Sequence, residues 1–484
     1  MSIKQQLISG FFWTYLQKFS SQLINFFISL VLSRLLLPED FGMMGLIYVF
    51  ITIGNVLIDS GLSLSLIRTK HIDQEDYSTV FIANIAFGLL IYLISFLIAP
   101  FISNFYNIEI LTTLIRVFAL TFIITSFSSV QTALLTKKML FKTQLFIAIP
   151  SLIISGIVGI TLAFFNFGVW SLVYASLSQN SIGTIQLWIY SDWRPKPVFN
   201  TEKFKVHFKF GYKLIIIGIF DAVFVNIYPI LIGKLYNIRQ VGFYTQAEAL
   251  KQLPVSNISS SLAKVTLPMF SRIQDENIKI KNAYDSITKM ALSIIAPILI
   301  FISALAEPLL HFLYSEKWVA AAPYLSILCF AGILPSINGY NLNILNAKGK
   351  SNYILRIETF NKLFLIILIA SLFKFGIYAL IWSKVISTLF SYLLNSFYCG
   401  KEINYKLIDQ VKVIVPILII AGVAGVVVSF SYSLLNLYLH PLFLKLLIAV
   451  LIGITTYLFL IYLFKREIIF EFHTLSKQIV NYAK

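Results

Sequence analysis

Charge is scarce in this sequence: only 12% of its 484 residues are Asp, Glu, Lys or Arg. A soluble domain carries about a quarter, so a chain this poor in charge is excluded from folding in water. Cysteine is rarer still. The two present, Cys329 and Cys399, both sit in apolar runs, which excludes a disulfide framework and reads as packing. The five histidines are scattered singly, so no metal-ligand cluster is visible. No glycine-rich phosphate loop is present, which removes ATP as a direct energy source. Large polar loops are missing as well. The one acidic cluster, Asp73-Gln74-Glu75-Asp76, reads as a solvated turn. A membrane enzyme would need carboxylates or histidines in a sizeable exposed loop, so we expect neither catalysis nor a cofactor.

What fills the chain is hydrocarbon. Hydrophobic residues make up 58%, mean hydropathy is +0.84, and apolar runs such as 81–101, 363–373 and 442–464 recur from end to end. A membrane span needs roughly 20 such residues. The runs and the turn formers between them predict an all-α integral membrane protein with 14 transmembrane helices. They cover 8–36, 40–66, 78–103, 110–135, 143–165, 168–190, 210–234, 240–268, 284–305, 320–345, 353–373, 377–399, 411–435 and 441–464. The first span carries Lys18 and shows no small-residue cleavage site, so it reads as a retained helix. Net charge is +17, but Lys and Arg concentrate in alternate loops by roughly four to one, which is topology and not nucleic-acid binding. The bias puts both termini in the cytoplasm.

The halves repeat. Arg34-Leu-Leu-Leu-Pro-Glu-Asp-Phe-Gly42 aligns with Lys234-Leu-Tyr-Asn-Ile-Arg-Gln-Val-Gly242, and Phe167-Gly-Val-Trp-Ser-Leu-Val-Tyr174 with Phe375-Gly-Ile-Tyr-Ala-Leu-Ile-Trp382. A weaker match pairs Leu134-Leu-Thr-Lys137 with Leu345-Asn-Ala-Lys348. Each lies about two hundred residues from its partner, in the same order. We therefore expect a lobe over 1–205, a second over 206–405, and two further helices with a tail over 406–484. Six spans per copy keep both lobes in the same orientation, as a parallel pseudo-twofold repeat with substrate between them near the midplane.

Ionisable groups in a span cost several kcal/mol and usually face a cavity or a partner. Span 1 puts Thr14, Lys18, Ser21, Gln22, Asn25, Ser29 and Ser33 within roughly 120° of one face. The small ones suit helix packing, while Lys18, Gln22 and Asn25 suit a hydrated cavity. Span 2 carries Thr52, Asn55, Asp59 and Ser63, with Asp59 either in a structural ion pair or in ion coupling. Span 8 carries Glu248, Lys251, Gln252, Ser256, Ser259, Ser260 and Lys264. Buried bases (Lys18, Arg116, Lys213, Lys251, Lys264, Lys289, Lys362, Lys384) outnumber acids (Asp59, Asp221, Glu248, Asp285, Glu358). That surplus needs an anion, and a diphosphate head group would serve. The expected substrate-binding residues are Lys18, Gln22, Asn25, Arg116, Lys251 and Lys264. Asp59, Asp221 and Glu248 are the candidates for ion coupling.

The chain resembles the MOP flippase superfamily, and within it the Wzx-type polysaccharide exporters of the colanic and teichuronic acid branch. The residues that carry the resemblance are Leu36-Leu-Pro-Glu-Asp-Phe-Gly42, Val241-Gly-Phe-Tyr244, Leu253-Pro254, Leu267-Pro268, Ser271-Arg-Ile-Gln-Asp275, Glu316-Lys-Trp318 and Asn346-Ala-Lys-Gly-Lys350. The resemblance implies a flippase for undecaprenyl-diphosphate-linked oligosaccharide, moving it from the cytoplasmic to the periplasmic leaflet through a cationic cavity. H+ or Na+ is the candidate coupling ion. The expected partners are that carrier, membrane lipids and polysaccharide polymerase machinery, around a monomer. The rival readings are a cation-coupled multidrug antiporter of the same superfamily, whose coupling acid would be Asp59 or Asp221, and a passive lipid scramblase.

Overall fold

The computed structural model describes residues 3–59 and 61–467. Among them there is no strand, and the chain divides into two compact units, Met1–Thr245 and Gln246–Lys484. The first unit holds α1 (Ile3–Leu35), α2 (Pro38–Asp59), α3 (Leu62–Arg68), α4 (Gln74–Tyr106), α5 (Ile110–Phe118), α6 (Leu120–Ser126) and α7 (Ser129–Lys137). It continues with α8 (Phe141–Phe164), α9 (Val169–Tyr190), α10 (Thr201–Val225), α11 (Ile227–Leu235) and the first residues of α12 (Ile238–Arg272). The second unit takes the rest of α12, then α13 (Asn277–Ala304), α14 (Ala306–Tyr314), α15 (Ala322–Ile333), α16 (Pro335–Ala347), α17 (Ser351–Leu372), α18 (Ile377–Ile403), α19 (Leu407–Tyr438) and α20 (Leu442–Phe464).

Large apolar side chains point outward along whole faces, for example Leu93, Leu97 and Phe101 on α4 and Val426, Phe430 and Leu437 on α19. Apolar faces that continuous are stable only against another apolar phase. Among the described residues eight helical stretches are long and apolar enough to cross a membrane. The number is ten if each of two bent pairs, α5–α7 at 43° and α10–α11 at 47°, is one span. This is an all-helical, multi-pass membrane protein. The other long helices, α1, α9, α12 and α17, are the more polar ones.

The repeated motifs fall on joints of matching form. α1 ends at Leu35 and α2 starts at Pro38, while α11 ends at Leu235 and α12 starts at Ile238. Gly168 (φ 54°) and Gly376 (φ 95°) each stand at the N-cap of the following helix, in backbone that glycine alone adopts freely. The first pair of joints also meets reciprocally within the first unit. A Cβ on Gly42 would lie 2.0 Å from Ile238 O, and one on Gly242 would lie 1.9 Å from Pro38 O. Arg239 Nε adds an ion pair to Glu39 at 3.5 Å across the same crossing.

The acidic cluster is more than a solvated turn. Asp73 caps α4 by accepting from the Glu75 and Asp76 N–H groups, while Lys203 on α10 reaches Asp73, Glu75 and Asp76 at 2.5, 3.0 and 3.4 Å. Buried His207 bridges Asp76 Oδ1 at 3.2 Å and Ser65 Oγ on α3 at 2.8 Å. The Pro-containing segment between α9 and α10 is tied to the same turn. Lys196 N donates to Ser78 Oγ, Asn200 N to Thr79 Oγ1, and Trp193 Nε1 to Gln74 Oε1. Lys137 Nζ caps the C-terminus of α3 through the Leu66 and Thr69 carbonyls.

Two outcomes follow from these contacts. Gly42→Ala should lower the thermal midpoint of the purified protein, at a cost of roughly 1–3 kcal/mol typical of overpacking. Gly422→Ala, whose Cβ meets nothing within 4 Å, should leave it unchanged or slightly raised; a scanning-fluorimetry comparison of the two decides. Separately, the Lys203 ammonium holds the Asp73 carboxyl well below the usual carboxylate range. A depressed carboxyl contributes above its ordinary value of about 3.9 and loses that contribution only as pH falls well below it. The share of protease resistance in the 191–200 segment that Asp73 and Lys203 contribute should therefore stay constant between about pH 5 and about pH 9. In Lys203→Met it should drop several-fold at every pH.

Candidate functional site: a neutral groove and a buried ion triad

Packing between α1, α8 and α9 is tight along one stretch and open along another. On α8, a Cβ on Gly156 would lie 2.5 Å from Ile28 of α1, and one on Gly159 would lie 3.0 Å from Ala175 of α9. Toward the N-terminal part of α8 the residues turn polar and the helices enclose a groove of about 360 Å³. Gln17, Ser21 and Asn25 enter it from α1 at four-residue steps, which places them on one helix face. Gln144 and Ser151 enter from α8, Gln179, Asn180 and Thr184 from α9, and Thr125, Ser128 and Thr132 from the α6–α7 bend. The last three also line a second cavity of about 630 Å³, walled by Thr52, Asn55 and Ser63 near the break between α2 and α3. Gly61, at φ 65°, makes that break.

Among the described residues no charged side chain lines either cavity. The hydroxyls are largely committed as donors to their own helices: Thr125 Oγ1 to Thr121 O, Thr132 Oγ1 to Ser128 O, and Ser151 Oγ to Ile147 O. Gln144 Nε2 donates to Thr136 Oγ1 and Asn180 Nδ2 to Ser176 O. The carboxamides of Gln17, Asn25 and Gln179 make no hydrogen bond to another described residue.

A buried cluster of charge lies in the second unit instead. Lys251 on α12, only 4% exposed, donates to Glu248 Oε1 at 2.7 Å. Lys384 on α18 sits 3.1 Å from the other carboxylate oxygen. The stem of Lys251 packs on α15, where a Cβ on Gly332 would come within 2.8 Å of Lys251 Cδ. The triad thus joins three helices.

The expected site residues scatter accordingly. Asn25 lines the groove, whereas Lys18 and Gln22, on the same helix, are outside its lining. Arg116 lies over the Phe96 ring at 4.1 Å and donates to the Phe96 carbonyl. Lys251 and Glu248 come together as one buried ion pair. Asp221 is exposed on α10. The side chains of Asp59 and Lys264 lie outside the described residues. Gln17, Gln144, Gln179 and Asn180 were not anticipated. Gln17, one turn before Ser21 and two before Asn25, extends the span 1 stripe and is the one a periodicity argument reaches.

A groove of polar side chains inside a helical membrane bundle suits a carrier of polar cargo. Residues 31–323 match the family model described as polysaccharide biosynthesis protein. The chain belongs to that family. Among its relatives is the teichuronic acid biosynthesis protein TuaB of Bacillus subtilis, 26% identical over 95% of this chain and 96% of that one. The lipopolysaccharide biosynthesis protein WzxC of Escherichia coli is 22% identical over 76% and 75% of the two chains. The fold is that of the lipid II flippase MurJ in its inward closed conformation, with a TM-score of 0.74 at 16% identity, covering 94% of this chain and 99% of the other. The resemblance to the Wzx-type polysaccharide proteins is thereby borne out.

Removing one member of a buried ion pair strands the others at a cost of about 3–5 kcal/mol. Glu248→Gln should therefore lower the thermal midpoint sharply. Adding Lys251→Met to Glu248→Gln should recover part of the loss, because Lys384 is long enough to reach water. The cycle of four unfolding curves measures the coupling.

Proposed function

We propose that the chain is a flippase. It carries an undecaprenyl-diphosphate-linked oligosaccharide from the cytoplasmic to the periplasmic leaflet of a bacterial inner membrane, for cell-surface polysaccharide synthesis. Fourteen spans in two lobes of six, over 1–205 and 206–405, with two more in 406–484, alternate access to the substrate by rocking. The observation that carries the reading is family membership over 31–323 in a bundle whose interior is lined by hydroxyls and carboxamides. The matching joints about two hundred residues apart support a duplicated bundle. The lysine bias supports cytoplasmic termini.

In this reading Lys18, on the stripe that also carries Asn25, attracts the diphosphate, with Arg116 and Lys264 as further cations. Glu248 is the coupling acid. Taking up H+ or Na+ would change the net charge of its triad with Lys251 and Lys384, and so the contact between α12 and α18; Asp59 and Asp221 are its alternatives. A multidrug antiporter would place a carboxylate where a cationic drug binds, and among the described residues neither cavity of the first unit contains one. The protein works as a monomer beside a polymerase that consumes its product.

Proteoliposomes loaded with a radiolabelled undecaprenyl-diphosphate oligosaccharide test the proposal. The protein should expose label to an impermeant glycosidase, and Lys18→Gln should slow this by about ten-fold with the folded amount unchanged. Transport equal to protein-free vesicles would reject the function, and full activity of Lys18→Gln would reject the role of that residue.

A further inference from the structure

We infer that the neutral groove of the first unit is a sugar subsite: it holds an uncharged sugar residue of the translocated molecule. The inference rests on the transport reading and adds which part of the cargo this unit recognises.

The argument is one of elimination and then of fit. An anion needs cations or a surplus of donors, and among the described residues the groove has no charged side chain. An organic cation is drawn by carboxylates, and among the described residues none lines it. An apolar tail would leave Gln17, Asn25 and Gln179 without hydrogen bonds at a dry surface, which is costly. A polyol meets none of these objections. Each sugar hydroxyl both donates and accepts, and each carboxamide offers an acceptor oxygen beside two donor hydrogens. Thr125, Ser128, Thr132 and Ser151 already donate to backbone carbonyls, so they turn acceptor lone pairs to the groove. Sugar hydroxyls are the complementary donors. At about 360 Å³, opening past Ser128 into about 630 Å³, the space falls in the range of small-molecule sites.

Placing Ser128→Cys at the shared wall gives a direct readout. The native Cys329 and Cys399 are both buried, so maleimide labelling in nanodiscs should report the new thiol; Thr132→Cys serves if that variant misfolds. The probes are a synthetic undecaprenyl diphosphate bearing a neutral trisaccharide, bare undecaprenyl diphosphate, and the free trisaccharide. Carrier binding is followed in parallel by tryptophan fluorescence. We expect the sugar-bearing carrier to slow labelling at least five-fold and the free trisaccharide to do so at higher concentration. The bare carrier should leave the rate unchanged. Asn25→Leu with Gln179→Leu should weaken protection about ten-fold without affecting binding of the bare carrier. Equal protection by the bare carrier overturns the inference, since the groove would then take head group or lipid. Carrier binding without protection overturns it too. If neither carrier binds, the flippase reading fails on its own. The free trisaccharide then decides the subsite alone: protection upholds it and no protection ends it.

Discussion

Hydrocarbon offers no hydrogen-bond partner. Every polar group taken across a bilayer must therefore find its partner inside the protein or in water the protein admits. The whole arrangement answers to that constraint. The helices whose composition is least suited to lipid are the ones with an interior use for polarity. α1 and α9 line the neutral groove. α12 carries Glu248 and Lys251, which meet each other and Lys384. α17 turns Asn361 toward Ser391 of α18, where its Nδ2 donates at 3.0 Å. The apolar helices α4, α19 and α20 face outward instead. Hydropathy along the chain is thus a map of which helices border lipid on most sides and which border a cavity or a charge.

The same constraint explains what could be read from sequence. Turns were legible because their chemistry is local. Pro38 at the start of α2, and Gly168 and Gly376 where φ is positive, each announce a joint by residue type. The repeat was legible for the same reason, since joints are where residue choice is least free. The span 1 stripe was legible as periodicity, and Asn25 in the groove came from it. The opposite walls were not. Gln179 and Asn180 look like incidental polarity on an otherwise ordinary span, and only the packing of α9 against α8 and α6 turns them toward Gln17 and Asn25. Asp76 looked like part of a solvated turn because its partners, Lys203 and His207, lie about 130 residues away. Lys251 was read as a cavity cation from a surplus of bases, and a count of charges does not reveal that Glu248 and Lys384 close around it.

That placement bears on how such a protein turns over. A transporter must bind well enough to load and weakly enough to release, the balance that also governs channels. Charge is poorly suited to the part of a site that must let go, because a desolvated ion pair is strong when made and expensive when broken. Here the buried triad lies within one unit, where Glu248 and Lys384 fasten α12 to α18. The groove offers uncharged hydrogen bonds, each worth only about 0.5–1.5 kcal/mol net because water competes for the same groups. A cargo held by several of them is selected by the match of donors and acceptors. It is released one bond at a time as water enters. Carboxamides and hydroxyls on helices, rather than on loops, keep that pattern in register while the surrounding bundle moves.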